Sequence, residues 1–216
     1  GPGLHILVGF AVAIILFEGG MNLRISRIMR ERNAIRGLIT IGALCTLIGG
    51  TLITIIFLGW DFRTSILFGT LIIVTGPTVI TPLLKRIRVH HGVSTILEAE
   101  GILLDAIGAI IAVVALEIAI SPSGLSFVKG FYHIISRLAI GGILGVTGGF
   151  LLTVLFRFRT LIPNGLENVF ILSWVIALFQ ISNTISPESG IAAVTIAGMT
   201  IGNSKTYIQQ DLLEFK

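Results

Sequence analysis

The feature that most constrains this chain is a series of long apolar runs that carry almost no charge. Of its 216 residues, 54% are hydrophobic and only 12% are charged. Several runs approach or exceed the roughly 18 to 20 residues that cross a bilayer as a helix. The seven runs are Leu4–Gly20, Gly37–Gly59, Thr64–Leu84, Val93–Ile120, about Phe131–Phe156, Val169–Ile185 and Gly190–Asn203. They predict an all-α polytopic membrane protein with about seven transmembrane helices.

Lysine and arginine fall mainly on one set of alternate connections. That set holds 12 of the 15 basic residues, namely Arg24, Arg27, Arg30, Arg32, Arg36, Lys85, Arg86, Arg88, Arg157, Arg159, Lys205 and Lys216. The other connections hold only Arg63, Lys129 and Arg137. By the positive-inside rule the N-terminus lies outside and the C-terminus in the cytoplasm, and we expect a bacterial plasma (inner) membrane. The basic charge therefore indicates topology rather than a nucleic-acid partner.

The odd number of helices, the absence of an initiator methionine and a start in mid-helix suggest a fragment. We expect residues 1–216 to form a single, partial transmembrane domain of a larger protein. One cysteine, Cys45, excludes a disulfide framework and a cysteine metal cluster.

Asp105 is the acid that lies deepest in an apolar run. It is twelve residues in from Val93, or about 18 Å at about 1.5 Å per residue, which is close to the bilayer midplane. Gly101 and Gly108 share its face of the helix. An ionisable group at this depth is a functional hypothesis by default, and flanking glycines predict that another helix comes close. The preceding run, Thr64–Leu84, is the nearest in sequence.

That preceding run is interrupted by a helix-breaking pair. Gly76 tolerates unusual backbone angles and Pro77 has no N–H, so Thr75-Gly76-Pro77-Thr78 is expected to unwind locally. Freed carbonyls and threonine hydroxyls beside Asp105 would make an oxygen cage for a small cation, a design used by secondary transporters with broken helices. A plain proline kink is the alternative.

A carboxylate that binds either a proton or a cation, but not both, is sufficient for exchange when access alternates between the two sides. The residues therefore favour cation/proton antiport. A cation channel would also use carbonyls and an intramembrane acid, so a cation channel or a K⁺-selective efflux system that uses the same broken-helix site stays open as an alternative.

Three stretches of the sequence resemble the monovalent cation/proton antiporters of the sodium/proton exchanger kind. They are "FEGGMNL" (Phe17–Leu23), "VTGPTVITPLL" (Val74–Leu84) and "EAEGILLDAIGA" (Glu98–Ala109). The resemblance implies a fold of crossed, interrupted helices built from inverted repeats, a homodimer, and Na⁺ or K⁺ and H⁺ as substrates. Beyond the first 110 residues only the helix pattern matches.

The resemblance also assigns roles to single residues. Asp105 resembles the aspartate that binds the ion and carries the proton, Thr75 the residue of the unwound helix whose carbonyl helps to ligate the ion, and Glu18 an acid near the ion path. Glu100 resembles a structural acid whose arginine partner lies on a later helix that this chain lacks.

Three positions depart from the family pattern. Gly76 and Leu104 stand where many members have acidic or amide side chains, and Gly101 where serine is frequent. The ion site would then use backbone, water, Glu18 and Thr78, which leaves Na⁺ and K⁺ both open. With one carboxylate in the pair position, we expect one-for-one, electroneutral exchange.

The sequence gives little support for an enzyme. An intramembrane aspartyl protease needs two facing aspartates, and Asp61 and Asp211 fall in predicted loops. His90 and His91 are adjacent rather than spaced as zinc ligands on a helix. No phosphate-binding glycine loop is present, and we predict no cofactor.

Overall fold

The computed structural model describes residues 2–74, 83–84, 89–120, 126–157 and 166–204, and the secondary-structure elements in this part are all helical. We number them α1 (Pro2–Asn22), α2 (Ile25–Arg30), α3 (Arg32–Gly37), α4 (Ala43–Leu58), α5 (Phe62–Ile73), α6 (His91–Ile120), α7 (Ser126–Arg157), α8 (Glu167–Ile185) and α9 (Ser189–Gly202). A π-helical segment, Leu38–Gly42, joins α3 to α4, so Arg32–Leu58 runs as one helix of 27 residues.

Four helices in the described part are long and apolar enough to cross a membrane. They are Arg32–Leu58, His91–Ile120, Gly130–Arg157 and Glu167–Ile185. Ile6–Asn22, Phe62–Ile73 and Ser189–Gly202 are shorter apolar helices. These seven segments correspond to the seven predicted runs, and a polytopic helical membrane protein is confirmed. The exact number of crossings and the inverted-repeat fold stay predictions.

The chain forms two compact units, Gly1–Ile25 with Ala139–Lys216, and Ser26–Leu138. The boundary between them falls within α7. The prediction of a single, partial transport domain is not tested by this division.

In the unit Ser26–Leu138, α4 and α5 form a tight helical hairpin. Gly59 ends α4 with a left-handed backbone angle (φ 65°) that glycine adopts without strain. Asp61 then begins α5 as its N-cap, because its Oδ2 accepts hydrogen bonds from the backbone N–H groups of Arg63 (3.1 Å) and Thr64 (3.3 Å). Further along, Gly50 and Gly69 let the two helices approach closely.

In the other unit, α9 packs against α1 and α7 through small residues. Cβ atoms placed on Gly141, Gly145 and Gly149 of α7 would lie 2.5 to 2.9 Å from backbone oxygens of α9. Both helices advance by four residues from one contact to the next, so they run parallel. The glycine stripe of α7 is therefore a helix contact, and α9 is largely buried in protein.

The neighbouring helix α8 runs the other way. Trp174 Nε1 donates a hydrogen bond to the Gly148 carbonyl at 3.2 Å, while the rings of Phe170 and Phe156 meet edge to face at 6.0 Å. The contact moves toward the start of α8 as it moves toward the end of α7, so the two helices are antiparallel. Consecutive antiparallel helices are the arrangement expected of segments that cross a membrane in turn.

Candidate functional site

Asp105 lies at the centre of the longest apolar helix of its unit. Fourteen residues separate it from His91 and fifteen from Ile120, the two ends of α6. Its side chain is partly buried, and Leu104 and Ala106 on either side are buried. A 30-residue helix is longer than the roughly 20 residues that span the hydrocarbon core, so its centre lies near mid-depth if it crosses the bilayer.

The two glycines that flank Asp105 are both buried, and one of them contacts α5. A Cβ atom placed on Gly108 would lie 2.9 Å from Val74 Cγ2 and 3.8 Å from Ile73 Cγ2. The sequence predicts that the preceding run, Thr64–Leu84, approaches this face of α6. The helix that does so is α5, which belongs to that run. Gly101 is buried as well.

The α5 helix ends immediately before the predicted unwound segment. Ile73 is its last residue, and Val74 has an extended backbone (φ −69°, ψ 112°). Helical backbone is present again at Leu83 and Leu84. The predicted ligands and helix breakers themselves, Thr75, Gly76, Pro77 and Thr78, lie outside the described residues.

Glu18 lies on α1, in a different unit from Asp105. Its side chain is exposed, and its carbonyl accepts a hydrogen bond from Asn22 Nδ2 at 2.9 Å. The role of Glu18 as an ion ligand therefore stays a prediction.

The rest of the "FEGGMNL" stretch packs on α9. A Cβ atom on Gly20 would overlap the Thr195 carbonyl oxygen, and one on Gly198 would overlap that of Phe17. At the end of the stretch, Asn203 Nδ2 donates to the Leu23 carbonyl (2.8 Å) and its Oδ1 accepts from the Ile25 N–H (2.8 Å). The sequence analysis missed these two hydrogen bonds of Asn203 because Asn203 is 180 residues away from Leu23.

Two other acids share α6 with Asp105. Glu100 is half-buried and close enough to Asp105 for their charges to interact. Glu98, at the first turns of the helix, accepts a hydrogen bond from Ser94 Oγ at 3.0 Å. The structural role predicted for Glu100 stays a prediction, while Glu98 makes a local hydrogen bond near the start of its helix.

Sequence reasoning also missed Arg137, which it counted among the connections. The residue lies within α7, its side chain is only 5% exposed, and its Nη2 donates to Glu117 Oε1 of α6 at 2.7 Å. Nη1 is buried without a hydrogen-bond partner in the part of the chain described. The signal was present, because Arg137 lies six residues inside the predicted run that begins at Phe131.

These features define a helical membrane protein with a carboxylate at the centre of one helix and a second helix that ends beside it. The family described as "Sodium/hydrogen exchanger, transmembrane" matches residues 2–215, which is nearly the whole chain. The chain belongs to this family. The resemblance carried by the three motifs is thereby confirmed, and it extends over the second half of the chain, where only the helix pattern had matched.

Curated relatives in bacteria are named as antiporters. The chain is 30% identical over 214 residues to "K(+)/H(+) antiporter NhaP2" of Shewanella oneidensis, an alignment that covers 94% of this chain and 35% of the relative. It is 26% identical over 204 residues to "Na(+)/H(+) antiporter NhaS2" of Synechocystis, covering 94% of this chain and 37% of the relative. The chain thus spans about a third of the length of these relatives.

Proposed function

We propose that the protein containing this chain exchanges a monovalent cation, Na⁺ or K⁺, for H⁺ across a bacterial plasma membrane. The observation that carries the proposal is the position of Asp105: it is at the centre of a 30-residue apolar helix, and Gly108, on the same face, contacts the last residue before Thr75. Family membership and relatives named for K⁺/H⁺ and Na⁺/H⁺ exchange support the same activity.

In the proposed cycle Asp105 binds a cation from one side, releases it on the other and returns with a proton. Because one carboxylate accepts either ion, occupation by the cation excludes the proton, and alternating access turns this competition into exchange. Thr75, Gly76 and Thr78 would supply carbonyl and hydroxyl oxygens, Pro77 would keep that backbone unwound, and Glu18 would lie near the ion path. One cation is exchanged for one proton, so the cycle is electroneutral.

The remaining parts of the proposal concern assembly and topology. The N-terminus of the chain lies outside and its C-terminus in the cytoplasm, in accordance with the distribution of basic residues. The chain is part of an inverted-repeat antiporter fold, and the protein forms a homodimer, as the family resemblance implies. Glu100 has the structural role that the family resemblance implies, so Glu100→Ala is expected to lower thermal stability more than it lowers exchange.

The test uses the full-length protein in liposomes that hold a pH-sensitive dye and an imposed pH gradient. Addition of Na⁺ or K⁺ should dissipate the gradient through wild type but not through Asp105→Asn, which keeps the size of the side chain and removes its charge. Glu98→Gln is the matched control on the same helix, and it should retain exchange because the Glu98 carboxylate bonds locally to Ser94 and lies a full seven residues from Asp105.

The outcome also identifies the substrate and the mechanism. The cation that acts at the lower concentration is the substrate. Exchange retained by a well-folded Asp105→Asn protein would remove Asp105 from the mechanism. A current carried by the cation alone, without movement of protons, would indicate a channel, which family membership does not favour.

A further inference from the structure

Four arginines lie close together around the start of a membrane-length helix. Arg27 and Arg30 belong to α2, and Arg32 and Arg36 belong to α3, which is the first part of the 27-residue helix that ends at Leu58. We call Ser26–Gly37 the arginine segment. The side chains of all four arginines are exposed. Four exposed positive charges therefore lie within ten residues at one end of a predicted membrane span.

No ion pair in the described part of the chain includes any of these four arginines. The ion pair found there joins Arg137 to Glu117, which are far from the segment in sequence. The only acid of the segment, Glu31, lies against the start of α6, where its Oε1 would be 3.1 Å from a Cβ atom placed on Gly92. Glu31 thus contacts the protein while the arginines face outward.

The arginine segment is fixed on its unit by an apolar anchor and presents a second apolar group outward. Ile35 is 4% exposed, so it holds α3 against the rest of the unit. Met29, between Arg27 and Arg30, is 56% exposed. Guanidinium groups beside an exposed apolar side chain suit the boundary between phosphate headgroups and acyl chains, where charge and hydrocarbon meet within a few ångströms.

We propose that the arginine segment binds the phosphate groups of anionic phospholipids at the membrane surface. Guanidinium forks bind phosphate oxygens in a bidentate way, and clusters of basic residues next to a membrane helix are attracted by anionic lipid. Because four such groups bind together, substitution of all four should weaken lipid binding far more than substitution of one. This proposal is independent of the exchange activity, because it concerns only the lipid next to the helix.

The experiment compares two lipids that differ in charge. Full-length protein in a neutral detergent is titrated with phosphatidylglycerol or with phosphatidylcholine of the same acyl chains, and the melting temperature is followed. Phosphatidylglycerol should raise the melting temperature of wild type above the value in phosphatidylcholine, and high salt should remove the difference, because screening weakens exposed charge pairs.

The variant that tests the segment carries Arg27→Gln, Arg30→Gln, Arg32→Gln and Arg36→Gln together. It should lose most of the shift caused by phosphatidylglycerol while melting like wild type in phosphatidylcholine. A control with Arg63→Gln and Arg157→Gln, two exposed arginines outside the segment, should keep the shift. A variant with four lysines at the segment positions should keep part of it, because lysine retains charge but not the fork.

Two results would overturn the proposal. One is a full phosphatidylglycerol shift in the four-glutamine variant. The other is a melting temperature that falls equally in both lipids, which would mean that the arginines bind an acidic part of the protein itself and not the lipid.

Discussion

Gly108 of α6 and Val74, the residue that follows α5, are in direct contact. A Cβ atom placed on Gly108 would lie 2.9 Å from Val74 Cγ2 and 3.7 Å from Val74 Cα. Val74 has left the helical conformation, and the predicted unwound segment begins at the next residue. The absence of a side chain at Gly108 therefore allows the end of α5 to approach the face of α6 that carries Asp105.

Gly108→Ala is expected to impair exchange, because the added methyl group must push Val74 away from α6. Overpacking of this kind costs about 1 to 3 kcal/mol. A displacement of Val74 would also move the backbone of the proposed ion site, so the rate of exchange in liposomes should fall more than the melting temperature does.

Val74→Ala in the Gly108→Ala background should restore part of the exchange, since it removes the Cγ2 atom that meets the new methyl group. Gly142→Ala is the control, because its Cβ atom would be 3.7 Å from Ile196 Cδ1, an ordinary contact. If the double variant is no better than Gly108→Ala, the contact with Val74 is not the cause of the defect.

Hydropathy and charge predicted much of the fold because the bilayer limits what a membrane helix can be. The run predicted as Val93–Ile120 is the helix His91–Ile120, and Val169–Ile185 is the helix Glu167–Ile185. The boundaries differ more elsewhere: the helix of the run about Phe131–Phe156 begins at Ser126, and the helix of the run Gly37–Gly59 begins at Arg32. There the arginines extend the helix beyond the apolar stretch, which a hydropathy pattern cannot detect.

The candidate site was predictable only in part. The central position of Asp105 follows from counting residues along one helix, and the glycines beside it indicated a close neighbour. The ion pair of Arg137 and Glu117 was not predicted, because the sequence of one helix does not indicate which residues of another helix it contacts. Long-range partners such as Asn203 and Leu23 are set by the packing of whole helices rather than by local sequence.

Asp61 provides a prediction about pH. The Thr64 hydroxyl donates to Asp61 Oδ1 at 2.6 Å, and this bond, with the N–H bonds of Thr64 and Arg63, holds the pKa of the Asp61 carboxyl below its ordinary value of 3.8. A carboxylate with a lowered folded-state pKa stabilises the protein above its unfolded-state pKa, and this contribution is lost as the pH falls through the folded-state pKa.

The measurement is the melting temperature of wild type and Asp61→Asn in detergent as a function of pH. Asparagine keeps an oxygen that can cap α5 but carries no charge, so wild type should melt higher at neutral pH. The difference should shrink below about pH 4, where the carboxylate of the unfolded state begins to gain a proton. A difference that stays constant to about pH 3 would show that the charge of Asp61 does not stabilise the helix.

Gly198 provides a prediction about the packing of α1 on α9. A Cβ atom at this position would overlap the Phe17 carbonyl oxygen and lie 3.1 Å from the Met21 nitrogen, both of which are backbone atoms that cannot rotate away. Gly198→Ala is therefore expected to separate the helices and to destabilise the protein by about 1 to 3 kcal/mol. Thermal unfolding in detergent measures the loss, and an effect no larger than that of Gly142→Ala would contradict the close approach.

The ion pair of Arg137 and Glu117 leads to the last prediction, which concerns stability. The guanidinium is 5% exposed and the carboxylate 49% exposed, so loss of the carboxylate leaves a buried charge with a weaker partner. Glu117→Gln is expected to cost about 1 to 3 kcal/mol, toward the lower end because water reaches Glu117. Glu98→Gln, which removes a charge near the other end of α6, should cost less.

Replacement of both partners should reverse this loss. In the double variant Glu117→Gln and Arg137→Met, the buried charge is gone and an apolar chain of similar length fills the space between α6 and α7, an exchange that is often neutral or stabilising. The double variant should therefore melt close to wild type and above Glu117→Gln. If it melts below the single variant, Arg137 stabilises the helix pair through contacts other than its bond to Glu117.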